Sequence, residues 1–203
     1  MIPVTPAPEP PEFDAAVRQP GLRFLAKMPA PSSWRNRDYW TAAIPALRLA
    51  YNSTCCYSAE WIPSVTGNSS VDHFKPRAAR PDLAYEWSNF RLAAARLNAR
   101  KGAVQGILDP FQIGEQWFAL DFPALLVKRG DALPPQFEAA FDLTVRTLRL
   151  NDEISVDSRM RWLRGYCERR YTFDYLLDSA PFIARELQRQ GLAESIREIM
   201  GFV

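Results

Sequence analysis

Histidine is nearly missing from this chain: His73 is the single one in 203 residues. A zinc site built on two or three protein histidines is therefore excluded. Cysteine is scarce as well. There are three, and Cys55 and Cys56 are neighbours. An odd count without framework spacing predicts reduced thiols in a cytoplasmic protein, not a disulfide scaffold. No apolar run approaches twenty residues, so neither a membrane span nor a membrane partner is predicted. The opening MIPVTPAPEPPEF has no basic start and no apolar h-region, which argues against a signal peptide. The net charge is only +2. A generally basic protein would carry more, so any nucleic-acid surface has to be local. What remains is ordinary: 47% hydrophobic and 24% charged residues, enough to bury a core in one soluble domain.

Proline is concentrated at the start, with Pro3, Pro6, Pro8, Pro10 and Pro11. None of these fits a helix interior or a central strand, so residues 1–35 are expected to form an extended arm. Residues 36–130 follow as the core and residues 131–203 as a helical subdomain. From Asn36 to Tyr51 the apolar residues Tyr39, Trp40, Ile44 and Leu47 fall at helical spacing, with Pro45 a potential kink. CCYSAEWIPSVTGNSSVDHF reads as two short strands around a turn at Thr66-Gly67-Asn68-Ser69. The alanine-rich run from about Asn89 to Lys101 reads as a helix stopped by Gly102. ILDPFQIGEQWFALDFPALLVKRGD gives two or three strands. From Pro134 onward the pattern is helical, with a second helix over about Ser155 to Leu177 and a third from Ala180-Pro181 to Met200.

The chemistry is concentrated between Asp72 and Gly102. Here seven basic residues (Lys75, Arg77, Arg80, Arg91, Arg96, Arg100, Lys101) stand against three acidic ones (Asp72, Asp82, Glu86). The stretch is thus +4 in a protein whose total is +2. Hydrolysis of a phosphodiester needs a water, a base for its proton, and positive charge for the transition state. His73 is the natural base near neutral pH and predicts a rate that rises with pH through an imidazole titration. The Asp72 carboxylate and the Asn98 amide oxygen are hard ligands. A sparse set of this kind suits one Mg²⁺ or Mn²⁺. Asn89 is a candidate to fix a loop, to hold the His73 Nδ1–H and leave Nε2 as base, or simply to cap the following helix. Lys75, Arg77, Arg96, Arg100 and Lys101 are candidate phosphate contacts, against the plainer reading of Lys75 and Arg77 as surface charge. Arg159, Arg161, Arg164, Arg169 and Arg170, near Trp162 and Tyr166, could form a second basic surface or the solvated side of an amphipathic helix.

The order DH, then N, then N-x-x-K resembles the HNH (ββα-metal) endonucleases. The resemblance implies an α+β fold, with a ββα-metal core embedded in a mostly helical single domain. It implies Asp72 and Asn98 as metal ligands, His73 as general base and Asn89 as the central asparagine. Tyr39-Trp40, Cys56-Tyr57, VDHFKP, YEWSNFRLA, N-x-x-K-G, LDP and TLRLN with Arg159 resemble, more narrowly, the small HNH nucleases of Septu-type and retron-linked antiphage systems. Those systems pair the nuclease with an ATPase. The resemblance therefore implies cleavage of double-stranded, foreign DNA and an ATPase or sensor partner. Many relatives carry a zinc knuckle. Here only Cys56 stands in the first half, and Ala93, Ala94, Ala95 and Ala99 fill the second. A structural zinc needs four ligands; none is expected, and Tyr57, Trp87, Phe90 and Leu97 are expected to pack in its place. The competing reading is an inactive HNH-fold subunit that binds nucleic acid or serves as a scaffold.

Overall fold

The structure is a computed structural model and describes residues 1–66 and 68–202. It divides into two compact units, one of residues 5–55 and 62–105, the other of residues 1–4, 56–61 and 106–203.

In the first unit the expected extended arm turns helical early. A wide turn at Asp14–Arg18 runs into α1 (Gln19–Lys27). The reason is a four-residue spacing: Phe13, Val17 and Gly21 are all buried, which makes one stripe of a helix. Pro20 falls in the first turn of α1, directly after that wide turn. Gly21 is dictated by contact, since a Cβ there would lie 2.1 Å from the Tyr85 ring. A 3₁₀ turn at Tyr39–Ala43 then leads into α2 (Ile44–Ala50), with Pro45 again in the first turn instead of kinking the helix.

The strand pattern differs from the expected one. Strand β1 (Ser69–His73) pairs antiparallel with β2 (Phe90–Ala94), which passes directly into α3 (Ala95–Lys101). No strand precedes β1 among the described residues of the predicted hairpin, and Gly67 of its predicted turn lies outside them. The helix predicted from Asn89 therefore begins six residues later. Burial explains the change. Phe90, Arg91, Leu92 and Ala93 are each buried, and pairing with β1 outweighs a helix preference worth under about 1 kcal/mol per residue. Gly102 ends α3 as expected, at φ +52°, a left-handed value that favours glycine.

In the second unit β3 (Phe118–Asp121) and β4 (Leu126–Arg129) form a hairpin. It is followed by α4 (Glu138–Leu148), α5 (Glu153–Cys167), α6 (Phe173–Ser179), α7 (Pro181–Arg189) and α8 (Ile196–Ile199). Both edges of the hairpin are covered by side chains from the helical part. Glu186 accepts the Leu120 N–H at 2.9 Å and Gln190 donates to the Leu120 carbonyl at 2.7 Å. Asn151 accepts from Val127 N at 2.7 Å and donates to its carbonyl at 2.8 Å. These bonds satisfy edge groups that would otherwise template another strand. They also explain why the hairpin groups with the C-terminal helices, so that the division falls after residue 105 and not near 130. The predicted helix over residues 155–177 breaks at Arg169, which is left-handed at φ +56°. Thr172 then caps α6, accepting from Tyr175 N at 3.2 Å. Arg159 is buried and donates to the carbonyls of Leu125 (2.8 Å) and Leu150 (2.6 Å), so it braces the hairpin and offers no basic surface. The chain is α+β. No helix among the described residues is long and apolar enough to cross a membrane.

Candidate active site

Strand β1 ends in Val71-Asp72-His73, and its register sets Asp72 opposite Arg91 and His73 opposite Phe90. Helix α3 packs against it. Asn98, on that helix, donates from Nδ2 to Ser70 Oγ at 3.0 Å and to the Val71 carbonyl at 3.1 Å. These two bonds anchor the helix to the strand. They also fix the amide, leaving Oδ1 without a hydrogen bond among the described residues. Asp72, His73 and Asn98 all line one cleft of about 420 Å³, together with Trp34 and Arg77. Four of the predicted site residues, Arg77 among them, thus share one cavity. Asp72 and His73 reach it although they are consecutive in the strand.

His73 is buried, with its ring edge-on to Trp40 (centroids 4.9 Å apart) and to Phe90 (5.2 Å). Its Nε2 lies 2.9 Å from the Ala84 carbonyl. A carbonyl only accepts, so Nε2 carries the proton and Nδ1 holds the lone pair. Nδ1 has no hydrogen bond among the described residues, and no buried side-chain nitrogen or oxygen there lacks a partner, so Nδ1 reaches the cleft. Burial pushes the His73 pKa down to about 4, and the charges of Arg77 and Lys101 push in the same direction against the hydrogen bond to Ala84. The imidazole is a neutral base at every pH near 7. This reverses the expected arrangement: the free nitrogen is Nδ1, and the partner of the other nitrogen is a backbone carbonyl instead of Asn89.

Asn89 works on the loop. It accepts from Lys75 N at 2.8 Å and donates to the carbonyls of Lys75 (3.0 Å) and Leu83 (3.1 Å). The loop after His73 is thereby tied to the segment that carries Ala84, the residue that holds the imidazole. Asn89→Ala removes three part-buried hydrogen bonds to the backbone at a cost of about 2–3 kcal/mol. The expected result is a melting temperature lower by about 5–10 °C, with Asn89→Asp, which keeps the acceptor alone, falling between. Thermal denaturation checks both variants, and unchanged melting for Asn89→Ala would remove the staple.

The predicted phosphate contacts separate by burial. Lys75 and Arg96 are exposed, while Arg77 and Arg100 are half-buried. Lys101 is fully buried, and its Nζ donates to Asp72 Oδ1 and to the His73 carbonyl, each at 2.8 Å. It cannot meet a phosphate. The three-residue step from Asn98 explains this, because both residues lie on the face of α3 turned towards β1. Sequence reasoning also missed Trp34 at the cleft, because nothing in the spacing connects residue 34 to residue 73.

Metal ligation rests on few atoms. Among the described residues no group of three or more His, Cys, Asp or Glu side chains converges on a metal position. Among the side chains that line the cleft, the carboxylate of Asp72 and the amide of Asn98 are the candidate ligands. Such a set fits an ion that keeps most of its waters and takes substrate oxygens, as Mg²⁺ and Mn²⁺ do. It does not fit zinc. Cys55 Sγ accepts the Ala94 N–H at 3.3 Å, and Trp87, Phe90 and Leu97 of the same unit are each buried; Tyr57, in the other unit, is buried as well.

No protein-family model matches the chain, and no curated protein matches it.

Proposed function

We propose that this protein is a metal-dependent endonuclease of HNH type that hydrolyses phosphodiester bonds in DNA. The observation that carries the reading is the convergence on one cleft of a lone-pair-bearing imidazole nitrogen, a carboxylate and an unbonded amide oxygen. The strand–strand–helix order that supplies them agrees with the motif resemblance.

In this reading His73 Nδ1 takes the proton of the attacking water. The Ala84 carbonyl holds the ring in the tautomer that permits this, and Trp40 and Phe90 fix its plane. A divalent ion, Mg²⁺ or Mn²⁺, held by Asp72 and Asn98 would supply positive charge to the scissile phosphate and the leaving oxygen. Asn89 keeps the loop that positions Lys75 and Arg77. Lys75, Arg77, Arg96 and Arg100 supply the local positive field that draws the backbone in. One site of this kind cuts one strand, so a double-strand break takes two sites or two events. The setting implied by the motif resemblance is cytoplasmic defence against foreign DNA, with an ATPase or sensor subunit restraining the nuclease.

Asn98→Ala tests the ligand assignment. Mn²⁺ binding, followed by titration calorimetry in the absence of nucleic acid, is expected to weaken by about 10-fold or more. An unchanged affinity in a folded Asn98→Ala protein removes Asn98 from the metal site.

A further inference from the structure

Arg77 differs from the other partly buried arginines of its unit. Arg18 is paired with Glu9, Asp14 and Glu86. Arg48 donates to the hydroxyls of Ser64 and Ser69 and to the Ile62 carbonyl. Arg91 donates to the carbonyls of Ser88 and Phe90. The Arg77 guanidinium makes no hydrogen bond or ion pair among the described residues. It lies instead over two indoles, 4.6 Å from the Trp40 centroid and 5.6 Å from that of Trp34. Burial pushes its pKa down, which marks a cation held partly out of water without an anion to match. A stacked guanidinium keeps its five N–H groups in a fixed plane and is suited to a phosphate.

Trp34 supplies the second half. It is half-buried and lines the same cleft. Its ring packs edge-on to Phe24 and Trp40, with centroids 6.0 Å away in each case, so its orientation is set before any ligand arrives. Aromatic and arginine side chains along a cleft are the means by which proteins hold unpaired nucleotides, because every base has a face to stack. Within a duplex both faces are already covered by neighbouring base pairs.

We propose that Trp34 and Arg77 form a clamp for a nucleotide whose base is unpaired, with its phosphate on the guanidinium and its base against the indole. The preferred substrate is then a single strand, or a gap, loop or flap in a duplex. This rests on the nuclease reading of the cleft and narrows it.

The test is fluorescence anisotropy in EDTA, which prevents cutting. The probes are labelled oligonucleotides of one sequence: single-stranded DNA, single-stranded RNA and duplex DNA. Wild type is expected to bind one or both single strands about 10-fold or more tightly than duplex. Trp34→Leu keeps apolar bulk beside Phe24 and Trp40, and melting curves verify its fold. It is expected to lose about 5- to 100-fold on the single strand and little on duplex, whereas Trp34→Phe retains most of the affinity. Arg77→Gln is expected to lower the salt slope of binding by about one, with Arg77→Lys restoring it. Equal binding of single strand and duplex, or an equal loss on both in Trp34→Leu, overturns the clamp and leaves the nuclease reading standing. Failure of wild type to bind any of the three probes also overturns the clamp, while the nuclease reading is decided separately by nicking in Mg²⁺ or Mn²⁺.

Discussion

Replacing Lys101 by methionine is expected to cost about 3–5 kcal/mol of stability and to lower the melting temperature by about 10–15 °C. On sequence grounds the residue is a candidate phosphate contact on the surface, and a solvated charge changes stability by no more than about 0.5 kcal/mol. Its place in the structure makes the difference. The Nζ is fully buried, 2.8 Å from Asp72 Oδ1 and 2.8 Å from the His73 carbonyl, and it sits 5.7 Å from the centre of the Phe74 ring. Methionine matches the volume but takes the cation away from a carboxylate that is itself 1% exposed. The end of β1, which carries two of the three cleft residues, loses its tie to α3 at the same time. Metal-dependent cleavage should therefore fall together with stability. Thermal unfolding with and without Mn²⁺ checks this. A Lys101→Met protein that melts like wild type would contradict the buried pairing.

His73→Ala is expected to lower metal-dependent nicking by about 10²–10⁴-fold, the range that a positioned general base contributes. The pH profile is the more telling readout. An ordinary imidazole would make the rate climb through pH 6.5. His73, with its pKa pushed down to about 4, is already the free base there, so between pH 6 and 9 the rate should show no imidazole step. The same shift affects stability. Between pH 6.5 and 4 the unfolded chain binds a proton that the folded chain refuses. The contribution of His73 is complete above pH 6.5 and is lost as the pH falls towards 4, by about 3 kcal/mol in all. His73→Ala removes that share of the acid sensitivity. A wild-type rate with a clear midpoint near 6.5 would show a solvated imidazole and contradict the buried one.

The residues legible in the sequence were those whose chemistry is local. Asp72 and His73 are adjacent, Asn98 lies on the helix that follows, and all three line the cleft. The Gly102 stop, the β3–β4 pair and the helices after Pro134 also follow from short-range patterns. What could not be read depended on distant partners. Phe90–Ala94 looks helical by composition and becomes a strand because β1 pairs with it. Asn89 looks like a helix cap or a partner of His73. It staples the Lys75 and Leu83 backbone instead, and the imidazole goes to the Ala84 carbonyl, which no side-chain pattern reports. Lys101 and Arg77 look alike as basic residues. One is sealed under Asp72 and the other lies across Trp34 and Trp40, which stand well over thirty residues before it.

The most direct measurement is nicking of supercoiled plasmid by the purified wild-type protein in Mg²⁺, Mn²⁺ and EDTA, with His73→Ala beside it. The proposed chemistry predicts nicks from wild type in Mg²⁺ or Mn²⁺, none in EDTA, and loss of nicking in a folded His73→Ala protein. Nicking that persists in EDTA, or that survives intact in His73→Ala, would contradict it.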